Sequence, residues 1–435
     1  MTAAEPGTVP AAAPAGPDAS PSPRVAGLSA AVLSGTLLAV NALAYVFTVL
    51  AARTLAPAAY GELAALLGVL LVGTVPAGGL QTHAALQLGS GRARPEQVSR
   101  QVHTAGIVLA VGVGAAALLA GLPLAALLHL DGPGSAALLA GQLVPYTVLG
   151  GYSGILQGTG RYARLALVTA VHGVTRLVGG VVGLLVGGTP TSALTGLAIG
   201  AVVGAVAAWT VAGRPGVGSL RTAPVVPALR ASGALLGFVL LTNLDLLLAR
   251  HHLSAAAAGQ YAVGSIVVKV VFWLPQGIAV VLLPRLADPD GRARVLPRGL
   301  AVVAGLGAVL TVGATALGVQ ALRLLGGPAY GAQLGGAVGL FAGLGTLLAV
   351  AQLLLFSAIA ARAAAPVTAV WLAVAGEVVA VTVLARTGDP GVVGIVGCAV
   401  ATAALLVGFG LLQLRADLRS AGPDRPGLRR DVLRR

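Results

Sequence analysis

Two similar stretches, Leu55-Ala-Pro57-Ala-Ala-Tyr60-Gly61 and Leu253-Ser-Ala-Ala-Ala-Ala-Gly259, stand 198 residues apart in this chain of 435 residues. Each precedes an apolar segment that carries a proline and a glycine at nearly the same depth, Pro76 with Gly78 and Pro275 with Gly277. Proline removes a backbone hydrogen bond and kinks a helix. The repeat therefore predicts two related halves, each with a hinge in its second helix.

Hydrophobic residues make up 57% of the chain and charged residues 9%, so most of it can satisfy its backbone only as lipid-embedded helices. Each apolar segment is long enough to cross a hydrocarbon core of roughly 30 Å. We predict an all-α polytopic membrane protein with about twelve transmembrane helices in two pseudo-symmetric six-helix lobes around a central cavity. The spans lie near 26–50, 61–88, 99–128, 135–158, 162–187, 191–212, 228–250, 259–285, 296–322, 332–361, 366–386 and 392–414.

The spans divide the chain into five parts. We predict a disordered cytoplasmic tail at 1–25, an N-terminal lobe at 26–212, a cytoplasmic linker at 213–227, a C-terminal lobe at 228–414 and a basic cytoplasmic tail at 415–435. Of the 27 Lys and Arg residues, 21 fall in alternate gaps between spans. By the positive-inside rule these gaps and both termini face the cytoplasm. Only Arg53, Arg250, Arg323 and Arg386 fall in the opposite gaps.

The composition also limits the class of function. A net charge of +14 would suggest nucleic acid for a soluble protein, but here the charge lies beside anionic lipids at the cytoplasmic face, so we expect no nucleic-acid partner. The single cysteine, Cys398, excludes a disulfide framework, and we expect neither a metal nor a cofactor. The Arg, Ala and Gly content is typical of a bacterium, which predicts a multi-pass protein of the bacterial plasma membrane.

Two basic residues fall inside predicted spans, where a charge is costly enough to need a reason. Arg176 lies near the middle of the fifth span, with His172 one turn before it. A guanidinium group binds phosphate through two parallel hydrogen bonds and stays charged. Arg176 is therefore our first candidate for binding a diphosphate headgroup, with His172 beside it. The alternative is a structural partnership between Arg176 and Glu377.

Lys269 in the eighth span could pair with Asp245 in the seventh, since their depths differ by roughly 7 Å at 1.5 Å per residue. Such a pair is either purely structural or functional. In the functional interpretation Lys269 meets an anionic substrate, and Asp245 balances it or exchanges protons or sodium. Glu377 in the eleventh span is a second candidate coupling residue.

Asparagine occurs only twice, as Asn41 and Asn243, each in the first helix of one half. A buried amide can bind either a neighbouring helix or a sugar hydroxyl. Both residues are therefore candidates for substrate contact and for packing between helices.

Three short motifs resemble one known family. They are Asn243-Leu-Asp245 with the stretch from Leu253 to Val-Leu-Leu-Pro284-Arg285, then Ala52-Arg53-Thr54-Leu55 with Pro76-Ala-Gly-Gly-Leu80-Gln81-Thr82, and Gly327-Pro328-Ala-Tyr330-Gly331. They are similar to the oligosaccharide and polysaccharide flippases of the multidrug/oligosaccharidyl-lipid/polysaccharide exporter superfamily. The resemblance covers about residues 26–414.

This resemblance implies a monomeric two-lobed bundle that flips a polyprenyl-diphosphate-linked glycan outward by alternating access. It also implies cationic residues in the central cavity, a role that Arg176 and Lys269 match. A drug/cation antiporter of the same superfamily would rely instead on carboxylates such as Asp245 and Glu377. A membrane-embedded glycan-processing enzyme is a third interpretation, but the short loops leave little room for an acid, base or metal site.

Overall fold

The computed structural model describes residues 23–420, except 93, 131, 133, 274–288, 328–329, 331–333, 335 and 361–364. These residues form fifteen α-helices and a short 3-10 helix, and the described ranges contain no strand. The α-helices are α1 Pro23–Thr54, α2 Pro57–Gly73, α3 Val75–Gly89, α4 Pro95–Leu119, α5 Gly121–Leu127, α6 Gly134–Gly158, α7 Tyr162–Gly187, α8 Pro190–Val211, α9 Val225–His252, α10 Ala255–Trp273, α11 Pro289–Ala316, α12 Gly318–Gly326, α13 Val338–Ala360, α14 Ala365–Thr387 and α15 Gly391–Ser420.

Local sequence explains where several helices begin. Pro57, Pro95 and Pro190 are the first residues of α2, α4 and α8, a position where a missing N–H group costs little. At the start of α8, Ser192 N donates to Thr189 Oγ1 at 3.1 Å and Thr189 N donates to Ser192 Oγ at 3.2 Å. This reciprocal pair satisfies two donors at the helix end and fixes the turn after α7.

The second predicted span is a helix broken at Thr74. α2 ends at Gly73, α3 begins at Val75, and Pro76 occupies the first turn of α3. The amide of Thr74 donates to two carbonyl groups of α2, at 3.0 and 3.2 Å. The break predicted from Pro76 is therefore present, and bending about it stays a prediction. The matching positions Pro275 and Gly277 lie outside the described residues.

The helices of each half pack mainly on one another. In the first half α7 packs against α1 and α8, while α6 contacts α3, α4 and α8. In the second half α13 packs against α10, α11 and α15, and α14 against α9 and α15. The halves meet where α2 and α3 pack against α9 and α10. The broken helix and the first two helices of the second half thus form the main interface.

Ten described segments are long and apolar enough to cross a membrane, or eleven if the bent α9 is counted as one. The predicted fourth span, α6, is not among them, because polar residues such as Gln142 and Gln157 interrupt its apolar sequence. It nevertheless packs among the other helices of its half. The expectation of an all-α polytopic membrane fold is confirmed, with ten or eleven candidate spans among the described residues against about twelve expected.

Candidate functional site

A cavity of about 240 Å³ lies between the two halves. Helices α1, α2, α6, α7 and α8 of the first half and α10 of the second half form its walls. Most of its lining is apolar, and none of the described residues that line it is acidic. The polar or aromatic lining residues used below are Asn41, Tyr45, Tyr146, Arg176, Ser265 and Lys269.

Arg176 reaches this cavity from α7 and lies over an aromatic ring. Its Cζ atom is 5.0 Å from the centroid of the Tyr146 ring, a distance typical of a cation–π contact. Its buried Nε atom has no hydrogen-bond partner among the described residues. The Tyr146 ring thus contacts the guanidinium group, and its Nε donor stays without a partner among the described residues.

His172 lies one turn before Arg176 and is only 8% exposed. Its ring meets the Tyr146 ring edge-on, with 4.7 Å between centroids. Both ring nitrogens lack a hydrogen-bond partner within the described part of the chain. Tyr146 therefore contacts both His172 and Arg176, although the sequence did not single it out. The only signal was a tyrosine beside Pro145 in a helix with few other aromatic residues.

Lys269 enters the same cavity from α10, in the other half of the molecule. The Tyr45 hydroxyl of α1 donates to the Lys269 carbonyl oxygen at 3.2 Å, which joins the two halves across the cavity. Arg176 and Lys269 thus contribute one cation from each half to a single space. Sequence reasoning had selected both residues, but spacing alone could not place them in one cavity.

Asp245 and Glu377 are not among the described residues that line the cavity. The Tyr261 hydroxyl donates to Asp245 Oδ2 at 2.8 Å, and Asp245 is 5% exposed. Lys269 and Glu377 are both close enough to Asp245 to interact with it electrostatically. Glu377 Oε1 is buried without a hydrogen-bond partner among the described residues. Glu377 therefore belongs with Asp245, and the structure does not bring it to Arg176.

The two asparagines occupy different environments. Asn41 lines the cavity. Asn243 is 3% exposed, and its amide donates to the Val239 carbonyl oxygen at 2.8 Å within α9. Gly68 of α2 lies against it, since a Cβ atom added there would be 3.7 Å from Asn243 Oδ1. Asn41 thus belongs to the cavity lining, and Asn243 lies at the interface between the halves.

Comparison with solved structures finds this fold in several membrane transporters. The inward-facing conformation of a multidrug resistance MATE family transporter of the MOP superfamily matches with a TM-score of 0.69 at 13% identity, covering 87% of this chain and 96% of that one. The lipid II flippase MurJ, in an inward closed conformation, matches with a TM-score of 0.65 at 11% identity, covering 90% and 93%. The eukaryotic MATE transporter AtDTX14 matches with a TM-score of 0.63 at 12% identity, covering 92% and 98%.

No protein-family model matches the sequence, and no curated protein sequence matches it. At identities of 11–13% the structural likeness establishes the fold alone. The chain shares this architecture with a multidrug resistance MATE family transporter and with a lipid II flippase.

Proposed function

We propose that this chain is a membrane transporter that moves a polyprenyl-diphosphate-linked oligosaccharide, or a related cell-envelope glycan precursor, outward by alternating access. The observation that carries the proposal is the pair of cations, Arg176 and Lys269, that face one cavity from opposite halves. A site that takes one contact from each half changes when the halves move, as alternating access requires.

The lining chemistry suits an anionic headgroup with an apolar tail. A diphosphate can accept two parallel hydrogen bonds from the Arg176 guanidinium group and a further one from the Lys269 ammonium group. The Tyr146 ring offers an apolar face to a sugar, and Asn41 offers an amide to its hydroxyl groups. The largely apolar remainder of the wall suits a polyprenyl chain.

A drug/cation antiporter of the same fold is the alternative proposal. Its support is the buried carboxylate pair of Asp245 and Glu377, which could exchange a coupling ion. Neither carboxylate is among the described residues that line the cavity, whereas two cations are. The electrostatics of the cavity therefore favour an anionic substrate over a cationic drug.

In the flippase proposal the same carboxylates have a separate task. Asp245 interacts electrostatically with Lys269 as well as with Glu377. Binding of a proton or sodium ion at Asp245 and Glu377 would change the charge beside Lys269, and hence its attraction for the substrate. This links a driving ion to the substrate without requiring a carboxylate in the cavity.

The test is flipping of a fluorescent polyprenyl-diphosphate oligosaccharide in proteoliposomes, with and without proton or sodium gradients. Wild type is compared with Arg176→Ala and Lys269→Ala. The matched control is Arg164→Ala, which removes an exposed arginine from the same helix as Arg176, three turns away. All variants must elute as single species with the wild-type thermal stability.

Flipping by wild type and the control, with at least tenfold loss in the two cavity variants, is the expected result. Absence of flipping by well-folded wild type under every gradient would overturn the lipid-linked glycan assignment. Gradient-driven uptake of organic cations by the same liposomes would then support the antiporter.

A further inference from the structure

The two halves are in contact at the end of the molecule that is predicted to be outer. Arg53, in the last turn of α1, donates from Nε and Nη2 to the Leu324 carbonyl oxygen, at 3.1 and 2.6 Å. Leu324 lies in the last turn of α12, where carbonyl groups have no partner within the helix. Arg53 therefore binds the carboxyl end of a helix that belongs to the other half.

A second arginine makes the reciprocal contact. Arg250, in the last turn of α9, donates from Nε to the Leu128 carbonyl oxygen at 2.9 Å, just after α5. Its Nη1 and Nη2 atoms donate to the carbonyl oxygens of Ala58 and His129, at 3.4 and 3.3 Å. Here an arginine of the second half binds the carboxyl end of a helix in the first half.

The internal repeat relates the two contacts. Arg53 and Arg250 are 197 residues apart, and their acceptors Leu128 and Leu324 are 196 residues apart. In each case the first span of one half donates to the end of the third span of the other half. A cation at the negative end of a helix dipole is favourable, and both contacts use this geometry.

The helices beside these contacts touch at a third related pair. Gly61 of α2 and Gly259 of α10 are 198 residues apart, and a Cβ atom added to Gly61 would lie 2.9 Å from Gly259 N. Tyr60, the neighbour of Gly61, lines the cavity. The contact between the outer ends of the halves is therefore next to the cavity.

We infer that Arg53 and Arg250 are paired gating residues that hold the outer ends of the two halves together and must both release their carbonyl partners before the cavity opens outward. This inference rests on the proposed alternating access. It does not depend on the identity of the substrate. Two crossed contacts, one from each half, on either side of the Gly61–Gly259 contact would resist separation of the outer ends.

The test measures distance rather than transport. Spin labels on cysteines introduced at Thr191 and Thr387, exposed positions of opposite halves at the predicted outer ends, report their separation by double electron–electron resonance in lipid nanodiscs. Cys398 is replaced by alanine in every sample. The variants are Arg53→Gln, Arg250→Gln and the double variant, and the control is Arg386→Gln, which removes an exposed arginine from the same face.

We expect a longer-distance population to grow at least about tenfold relative to the closed one for each arginine removed, since the loss of even one charge-assisted hydrogen bond has that effect. The double variant should open furthest. Distance distributions in the single and double variants that equal those of the Arg386→Gln control would overturn the inference. Arg250 is buried, so Arg250→Gln could fail to fold. In that case the comparison of Arg53→Gln, which changes an exposed residue, with the Arg386→Gln control decides whether the inference holds.

This measurement is independent of the flipping assay. Longer distances in the arginine variants, together with no flipping by the wild type, would support the gating role and contradict the proposed substrate. Flipping by the wild type, together with unchanged spin-label distances in the arginine variants, would support the transporter and contradict the gating role.

Discussion

Tyr146 lies in the first-half wall of the cavity. Its ring contacts the Arg176 guanidinium group on one side and the His172 imidazole on another. A long arginine side chain loses considerable rotamer entropy when it binds a ligand. An aromatic face that holds the guanidinium group beforehand reduces that loss, so we expect Tyr146 to act as a positioning residue for Arg176 in the proposed transporter.

Tyr146→Leu should therefore weaken binding of a short-chain polyprenyl diphosphate. A cation–π contact of about 0.5 to 2 kcal/mol corresponds to a roughly two- to thirtyfold rise in Kd. Tyr146→Phe keeps the ring and should keep the affinity. Calorimetric titration in nanodiscs measures both variants, and equal affinities for Leu and Phe would contradict the positioning role.

Tyr261 is predicted to stabilise the fold through its hydrogen bond to Asp245. The hydroxyl donates at 2.8 Å to a carboxylate with only 5% exposure, so Tyr261→Phe leaves a buried acceptor without this donor. The expected loss is about 1.5 to 3 kcal/mol. Thermal unfolding in detergent measures it, with Tyr162→Phe at the start of α7 as the control. Equal melting temperatures for the two variants would show that the bond contributes nothing.

At the scale of elements, glycines determine how closely α7 and α8 approach. A Cβ atom added to Gly179 or Gly196 would clash with the backbone of the facing helix. Backbone cannot move aside as a side chain can, so the pair of helices must separate. Close packing of this kind replaces the hydrophobic driving force that helices in a bilayer lack.

Gly196→Ala should consequently destabilise the protein by about 1 to 3 kcal/mol, the usual cost of overpacking. Gly376→Ala in α14 is the matched control, because nothing lies within 4 Å of the added Cβ atom. That substitution should be neutral or stabilise by up to about 1 kcal/mol, the difference in helix propensity. Thermal unfolding that ranks the two variants in the opposite order would contradict this account.

The elements themselves could largely be predicted from the sequence. Apolar segments bounded by Pro, Gly or Arg gave the positions of the helices, and Pro76 gave the break at Thr74. The positions of the site residues depend on how each helix is rotated about its axis and packed against its neighbours, and the hydropathy pattern does not determine either. Asn41 and Asn243 occupy similar positions in sequence, yet one lines the cavity and the other bonds within its own helix. Tyr146 was missed because its role requires knowing that α6 and α7 share the cavity.

For the whole molecule, the charge distribution predicts the orientation in the membrane. Loops on one face carry most of the arginines, and only Arg53, Arg250, Arg323 and Arg386 lie in the gaps on the other. We expect a green fluorescent protein fused after Gly160 to fluoresce and alkaline phosphatase fused there to be inactive, because that loop faces the cytoplasm. Fusions after Gly188 should behave in the opposite way. Identical behaviour at both sites would contradict the predicted topology.

The crossed arginine contacts have the form of an isologous interface, in which residue i of one copy meets residue j of the other and j meets i. By the predicted spans each half crosses the membrane an even number of times, so two copies of one half would insert side by side in the same direction. Fragments 1–216 and 217–435 made as separate chains should then copurify through a tag on either one, and a failure to do so would contradict this. Such an interface is the one expected if a gene for a homodimer was duplicated and the two copies were fused, with residues 213–227 as the join.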